Sequence, residues 1–123
     1  MILGVGIDLV EIDRIKRAIE RYNRKFLDRI YTLREQAYCE QFASKWANYA
    51  ARFAAKEAVA KALGTGFQKG LSWTDIEIIR SDEGKPEIFL REPYLPCGCR
   101  IHLSMSHCRT LATAYALLEK ISA

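Results

Sequence analysis

The sequence predicts an α+β domain in which helices pack on one face of a mainly antiparallel sheet. Three observations point there. The chain opens on an apolar, β-branched run over residues 2–10. Residues 14–63 carry helical periodicity and become Ala-rich towards their end. From residue 73 onward, four short strand-like runs alternate with turn residues.

Residues 2–10 read as a strand that is apolar up to Asp8. Residues 14–29 read as an amphipathic helix. At about 100° per residue, Arg14, Arg17, Arg21 and Arg24 share an arc of about 80°. Ile15, Ala18, Ile19, Tyr22 and Phe26 cluster nearly opposite and form its core side. Asp13 is the expected N-cap. Thr32-Leu33-Arg34-Glu35 is a capping box, which starts a second helix at residue 33. Ser44 restarts it, and an Ala-rich stretch runs from Trp46 to Leu63 before Gly64, placed for a left-handed C-terminal cap.

Trp73 to Arg80 is a strand, and Asp82-Glu83-Gly84-Lys85-Pro86 a turn. Glu87 to Leu90 pairs back as a hairpin. Residues 91–99 hold two Pro and a Gly and form a loop. Arg100 to Ser106 alternates Ile101, Leu103 and Met105 against His102, Ser104 and Ser106. Thr110 to Leu118 returns antiparallel to it. The predicted order is therefore β-α-α-β-β-β-β.

The bulk numbers fit this scheme. At 123 residues and 14.1 kDa the chain suits one domain, residues 1–123, expected to expose about 6,700 Å² when folded. Half the residues are hydrophobic and 28% are charged, which excludes a disordered chain. No apolar run approaches the roughly 18 residues of a membrane span, and Asp8 interrupts the opening apolar run, so neither a membrane segment nor a signal peptide is expected. A cytoplasmic protein is the default. Cys39, Cys97, Cys99 and Cys108 are expected to be reduced thiols. Cys97 and Cys99 are too close for the usual zinc spacing.

Charge is unevenly placed. The net charge is +4, yet residues 14–34 alone carry eight basic and two acidic residues, leaving −2 for the rest. Solvated helix faces usually mix signs, so a stripe of arginines points to an anionic partner, either nucleic acid or an acidic protein surface. The core-side placement expected for Tyr22 and Phe26 favours a protein, because nucleic-acid patches often add exposed aromatics.

Three constellations could carry chemistry. Asp8 closes an apolar strand, where a carboxylate would be held rigidly for a metal or simply cap the next turn. Glu57 and Lys61 share a helix face at i, i+4. They form either a surface ion pair worth ~0.5 kcal/mol or a carboxylate and an ammonium serving Mg²⁺ and a phosphate. Gly64-Thr65-Gly66 could bring backbone N–H groups to that phosphate. Ser104-Met105-Ser106-His107 lacks the elbow of a serine hydrolase.

Taken together, three segments resemble the signatures of the phosphopantetheinyl transferases. They are Gly6-Ile7-Asp8-Leu9-Val10-Glu11-Ile12-Asp13-Arg14-Ile15, Phe53-Ala54-Ala55-Lys56-Glu57-Ala58 with Lys61-Ala62-Leu63-Gly64-Thr65-Gly66, and Ser104-Met105-Ser106-His107. The compact length resembles the short holo-acyl-carrier-protein synthase branch and not the two-repeat branch. The resemblance implies transfer of 4′-phosphopantetheine from coenzyme A to a serine of an acyl carrier protein, with release of adenosine 3′,5′-bisphosphate, using Mg²⁺ and supporting fatty acid biosynthesis. It implies Asp8 and Glu57 as metal ligands and Lys61 beside the coenzyme A phosphates. It also implies Arg52, Gly64, Thr65, Gly66 and His107 as lining the coenzyme A site, and Arg14, Arg17, Arg21 and Arg24 as the carrier-protein docking surface. Assembly would be a homotrimer with sites between subunits, and the general base Glu57 or a metal-bound water. Cys108 departs from the small polar residue expected after His107, and Pro96-Cys97-Gly98-Cys99 has no implied role. Two other readings stand beside this one: a nucleic-acid module built on the arginine helix, and an inactive carrier-protein-binding subunit, against which intact Asp8, Glu57 and Lys61 argue.

Overall fold

The structure, a computed structural model, describes residues 1–68 and 70–122. Strand β1 (Ile2–Glu11) leads into four helices, α1 (Ile12–Tyr22), α2 (Arg24–Ile30), α3 (Leu33–Glu40) and α4 (Lys45–Ala62). A single 3₁₀ turn (Trp73–Asp75) precedes the hairpin β2 (Ile76–Arg80) and β3 (Pro86–Leu90). The chain ends in β4 (Cys99–His107) and β5 (Leu111–Lys120).

The strands form two antiparallel sheets, not one. β1-β5-β4 is three-stranded, with β5 central, and β2-β3 is separate. Helix α4 lies across the inner face of the larger sheet. The residues of β5 that meet it are Ala112, Ala114, Ala116 and Leu118, all buried. Opposite them α4 buries Ala51, Ala54, Ala55, Ala58 and Ala62. Small residues on both sides let helix and sheet approach closely. On β1, Gly4 and Gly6 go further: a Cβ on Gly4 would collide with the Ala62 carbonyl oxygen, and one on Gly6 with that of Ala58.

The expected single helix over 14–29 is divided. Asn23 adopts φ 51°, and the chain re-enters helix at Arg24. Asn tolerates this left-handed backbone better than most residues. The break lets α2 turn Leu27 and Ile30 into the core. Asp13 is not the N-cap. Glu11 holds that position without a side-chain bond, and Asp13 pairs with Arg17 at 2.7 Å in the first turn. Tyr22 is not on the core side; it is 51% exposed, while Phe26 is half-buried. The aromatic argument for a protein partner therefore falls for Tyr22.

Other local expectations are met. Thr32 and Glu35 form the reciprocal cap of α3, with Glu35 N to Thr32 Oγ1 at 3.2 Å and Thr32 N to Glu35 Oε1 at 2.9 Å. Gly64 terminates α4 at φ 83°. The expected strand at 73 starts three residues later, because Asp75 Oδ2 accepts from Ser72 N at 2.9 Å and winds a turn first. Ser81 N to Lys85 O at 2.8 Å closes the first hairpin, and Cys108 N to Leu111 O at 2.9 Å the second.

Candidate active site

Residues far apart in sequence meet where β1 crosses α4. Asp8 lies on the inner face of β1, two residues after Gly6, so the close strand–helix approach delivers its carboxylate to the α4 surface. Lys61 Nζ donates to the Ile7 carbonyl oxygen at 2.9 Å and lies 3.3 Å from Asp8 Oδ1. Among the described residues, Lys61 therefore pairs with Asp8 and not with Glu57. The Asp8 side chain is 19% exposed and that of Lys61 50%. On the other side of the strand, the Thr113 hydroxyl of β5 donates to the Asp8 carbonyl oxygen at 2.7 Å.

Glu57 is half-buried on α4, one turn before Lys61. Burial pushes its carboxyl above the ordinary glutamate range, and the nearby Asp8 charge pushes it further; Lys61 acts in the opposite direction. Two carboxylates that repel each other in a partly desolvated place, with an ammonium beside one of them, make a set of hard oxygen donors suited to Mg²⁺ and a cation suited to a phosphate.

The turn after α4 is occupied differently from expectation. Gly64 N donates to Lys61 O at 2.9 Å and Gly66 N to Ala60 O at 3.1 Å, so both N–H groups close the helix end and do not face outward. The space beside the two glycines is open: an added Cβ at either meets nothing within 4 Å. The segment offers room for a ligand's approach and not a ring of amide donors. Thr65 Oγ1 donates to Gly66 O at 3.1 Å.

Arg52 is a correction. It is 1% exposed, its Nε donates to Ile78 O at 3.3 Å, and its guanidinium stacks on Tyr38 at 4.4 Å. Glu57 and Lys61 follow it by five and nine residues, which places Arg52 about 140–180° around α4 from them. It braces α3 and β2 from inside and cannot touch a ligand.

His107 ends β4 and is exposed. It lines a depression of ≈ 240 Å³ with Leu9, Ser106, Cys108, Leu111, Ala112 and Thr113. Strand alternation puts Cys99 and His102 on opposite faces of β4, which separates them as partners. All four cysteines are free.

The arginines stand as a looser stripe than the wheel suggests. Arg14, Arg17 and Arg21 share α1, while Arg24 begins α2 beyond the break. Arg17 pairs with Asp13 and Arg24 with Asp28, both at 2.7 Å and exposed. Arg14 and Arg21 have no ion-pair partner among the described residues. Arg21 lies over the Tyr22 ring at 5.3 Å.

The outer face of the larger sheet is unexpectedly apolar. Val5, Ile7 and Leu9 of β1 are 55–63% exposed, beside Tyr115 at 42%. The chain exposes 7583 Å², against about 6,700 Å² for a monomer of its mass. Sequence reasoning missed this face because β1 reads as an ordinary apolar strand. Its alternation with Gly4, Gly6 and Asp8 was the available signal.

Comparison with known proteins gives one consistent result. A family model described as the 4'-phosphopantetheinyl transferase superfamily matches residues 4–116. The holo-[acyl-carrier-protein] synthase of Chlamydia muridarum is 51% identical over 118 residues, covering 94% of both chains. That of Solibacter usitatus is 48% identical over 124 residues, covering 97% of this chain and 99% of its own. Among solved structures, a holo-(acyl-carrier-protein) synthase from Bacillus anthracis in complex with CoA (3',5'-ADP) superposes with a TM-score of 0.85 at 38% identity, covering 98% of both chains. The Helicobacter pylori holo-[acyl-carrier-protein] synthase in complex with coenzyme A gives 0.82 at 34% identity, covering 94% of this chain and 99% of that one.

Proposed function

Because the chain belongs to the 4'-phosphopantetheinyl transferase superfamily, we propose a role for each of the residues gathered at β1 and α4. The chain transfers the 4'-phosphopantetheine group from coenzyme A to a serine of apo acyl carrier protein and releases adenosine 3',5'-bisphosphate. The observation that carries the residue assignment is the meeting of Asp8 with Glu57 and Lys61, brought from positions about fifty residues apart by the glycine-lined crossing.

In the reaction the serine oxygen attacks the phosphorus that bears the pantetheine, and the bond from that phosphorus to the departing nucleotide phosphate breaks. Charge must be neutralised on both phosphates and the nucleophile held in line. Asp8 and Glu57 would hold Mg²⁺; their donor chemistry fits it, two hard carboxylates whose mutual repulsion a divalent cation relieves. When bound, Mg²⁺ supplies Lewis-acid neutralisation of the phosphate oxygens. Lys61, half-exposed and already paired with Asp8, is placed to exchange that contact for a substrate phosphate. The serine proton goes to a base at the site, Glu57 or a water held beside it. Gly64, Thr65 and Gly66 give the ligand close approach to the end of α4, and His107, in the depression at the end of β4, would line the coenzyme A site.

The acidic carrier protein docks on Arg14, Arg17, Arg21 and Arg24, with Arg14 and Arg21 contributing most because Asp13 and Asp28 already engage the other two. Nucleic acid is not a partner on this reading. The protein acts as a homotrimer, its sites between subunits. The apolar outer sheet face supports self-association, and one small chain has little room to enclose coenzyme A. It works in the cytoplasm, in fatty acid biosynthesis as one single-domain unit. Four free thiols and the lack of any membrane-crossing helix among the described residues agree with that.

The test is incubation with coenzyme A, Mg²⁺ and apo carrier protein, read by mass spectrometry for added phosphopantetheine. Asp8→Ala and Glu57→Ala should abolish transfer and leave the circular dichroism unchanged. Chelation should abolish transfer by the unaltered chain. Near-normal turnover by either variant removes that residue from the assignment.

A further inference from the structure

We infer that Gly6 and Thr113 are positioning residues that together fix Asp8 opposite Glu57 and Lys61. The inference rests on the assignment of Asp8 to the site proposed above.

Gly6 acts from the helix side. A Cβ there would collide with the Ala58 carbonyl oxygen and come within 2.9 Å of both Ala58 C and Ala62 N. All three are main-chain atoms of a regular helix and cannot swing aside as a side-chain tip would. Any side chain at position 6 must therefore lift β1 off α4. Asp8 is the next residue on that face, and among the described residues its held contact with α4 runs through Lys61, at 3.3 Å to the carboxylate and 2.9 Å to the preceding carbonyl. A shift of the strand separates Asp8 from both α4 groups at once. Misplacement of a reacting group by about 1 Å can cost about 10²-fold in rate.

Thr113 acts from the sheet side. It stands directly opposite Leu9 in the β1–β5 register, and its hydroxyl donates to the Asp8 carbonyl oxygen at 2.7 Å. The residue is β-branched, so its χ1 is stiff and the hydroxyl is already aimed. The two devices are independent: one sets how near the strand lies to the helix, the other holds the peptide that carries the carboxylate. Gly6 is covered by α4, and the Thr113 hydroxyl is engaged by the Asp8 carbonyl oxygen. Both are positioning residues, and partners of metal ligands of this kind are commonly worth about 10–100-fold in metal affinity or activity.

The experiment compares Thr113→Val, Thr113→Ser, Gly6→Ala and Asp8→Ala with the unaltered protein. Three quantities are read: coenzyme A affinity by calorimetry, without carrier protein, in Mg²⁺ and in chelator; the Mg²⁺ concentration for half-maximal transfer; and the melting temperature. Thr113→Val should raise the Mg²⁺ requirement about 10-fold. Its coenzyme A affinity should fall more in Mg²⁺ than in chelator, and Thr113→Ser should restore the requirement. Gly6→Ala should lower transfer about 100-fold and remove most of the Mg²⁺-dependent gain in coenzyme A affinity. If Gly6→Ala does not fold, Thr113→Val with its serine rescue decides alone. If Asp8→Ala keeps the Mg²⁺-dependent gain, the underlying assignment of Asp8 fails. If Asp8→Ala loses the gain while Thr113→Val and Gly6→Ala keep it, the positioning inference is overturned. It is equally overturned if Thr113→Val weakens coenzyme A binding by the same factor with and without Mg²⁺, alongside a lower melting temperature.

Discussion

Lys56 Nζ lies 2.6 Å from Glu35 Oε1, and both side chains are completely buried. The pair is fully satisfied. Lys56 also donates to Ile30 O at 2.8 Å and Trp73 O at 3.1 Å, while Glu35 Oε2 accepts from Ile78 N at 2.8 Å. One ion pair thus ties the end of α2, the cap of α3, the 3₁₀ turn, β2 and α4 together. Burial pulls the Lys56 ammonium below its ordinary value, and Glu35 pulls it back.

Removing one partner strands the other charge in the core. Lys56→Met should cost about 3–5 kcal/mol, read from the denaturant midpoint. The double variant Lys56→Met, Glu35→Leu should recover part of that loss. A single-variant cost below about 1 kcal/mol would show that the pair does not brace the fold.

Glu57 sets a pH dependence whose sign follows from its raised carboxyl. The folded chain holds this proton more tightly than the unfolded chain. Below the unfolded value both forms are protonated and stability is unaffected. As pH rises from there through the folded value, the unfolded form releases its proton first and the folded state loses stability. In chelator, Glu57→Gln should therefore melt higher than the unaltered protein at neutral pH and equally at low pH. Equal melting of the two proteins at neutral pH would count against a raised Glu57 carboxyl.

The arginine stripe should act on association. Exposed pairs are worth only ~0–1 kcal/mol each, so single changes should be mild. Their summed field acts chiefly on the association rate. Reversing Arg14 and Arg21, the two without ion-pair partners among the described residues, to Glu should raise the KM for carrier protein strongly, and more so at low salt. The KM for coenzyme A should change less. Equal loss for both substrates would place the stripe in the coenzyme A site or the fold.

The outer sheet face should hold subunits together. Ile7 is 63% exposed and its side chain leaves the core untouched. Ile7→Lys should thus preserve secondary structure and melting while light scattering reports dissociation, with transfer falling in parallel. A fully active monomer at micromolar concentration would defeat the intersubunit site.

Much of this molecule is legible one neighbourhood at a time. The Thr32–Glu35 cap, the end of α4 at Gly64, the two hairpins and the amphipathic α1 depend on residues three or four apart, or on strand alternation, and these patterns survive any tertiary arrangement. The signature segments around Asp8, Glu57 and His107 are local strings in the same sense. Tertiary structure alone decided which charges are inside and whom they meet. Lys56 and Glu57 are adjacent in sequence, yet one is sealed against Glu35 and the other faces Asp8. Arg52 reads like a ligand-binding arginine and is a core brace. Lys61 has Glu57 one turn away on its own helix and pairs instead with Asp8, fifty-three residues distant. Asn23 breaks the arginine helix because Leu27 and Ile30 must reach a core built by other elements. Periodicity specifies a face, but the partner on that face comes from chain closure over long separations. Here it depended on how near two glycines allow β1 to approach α4.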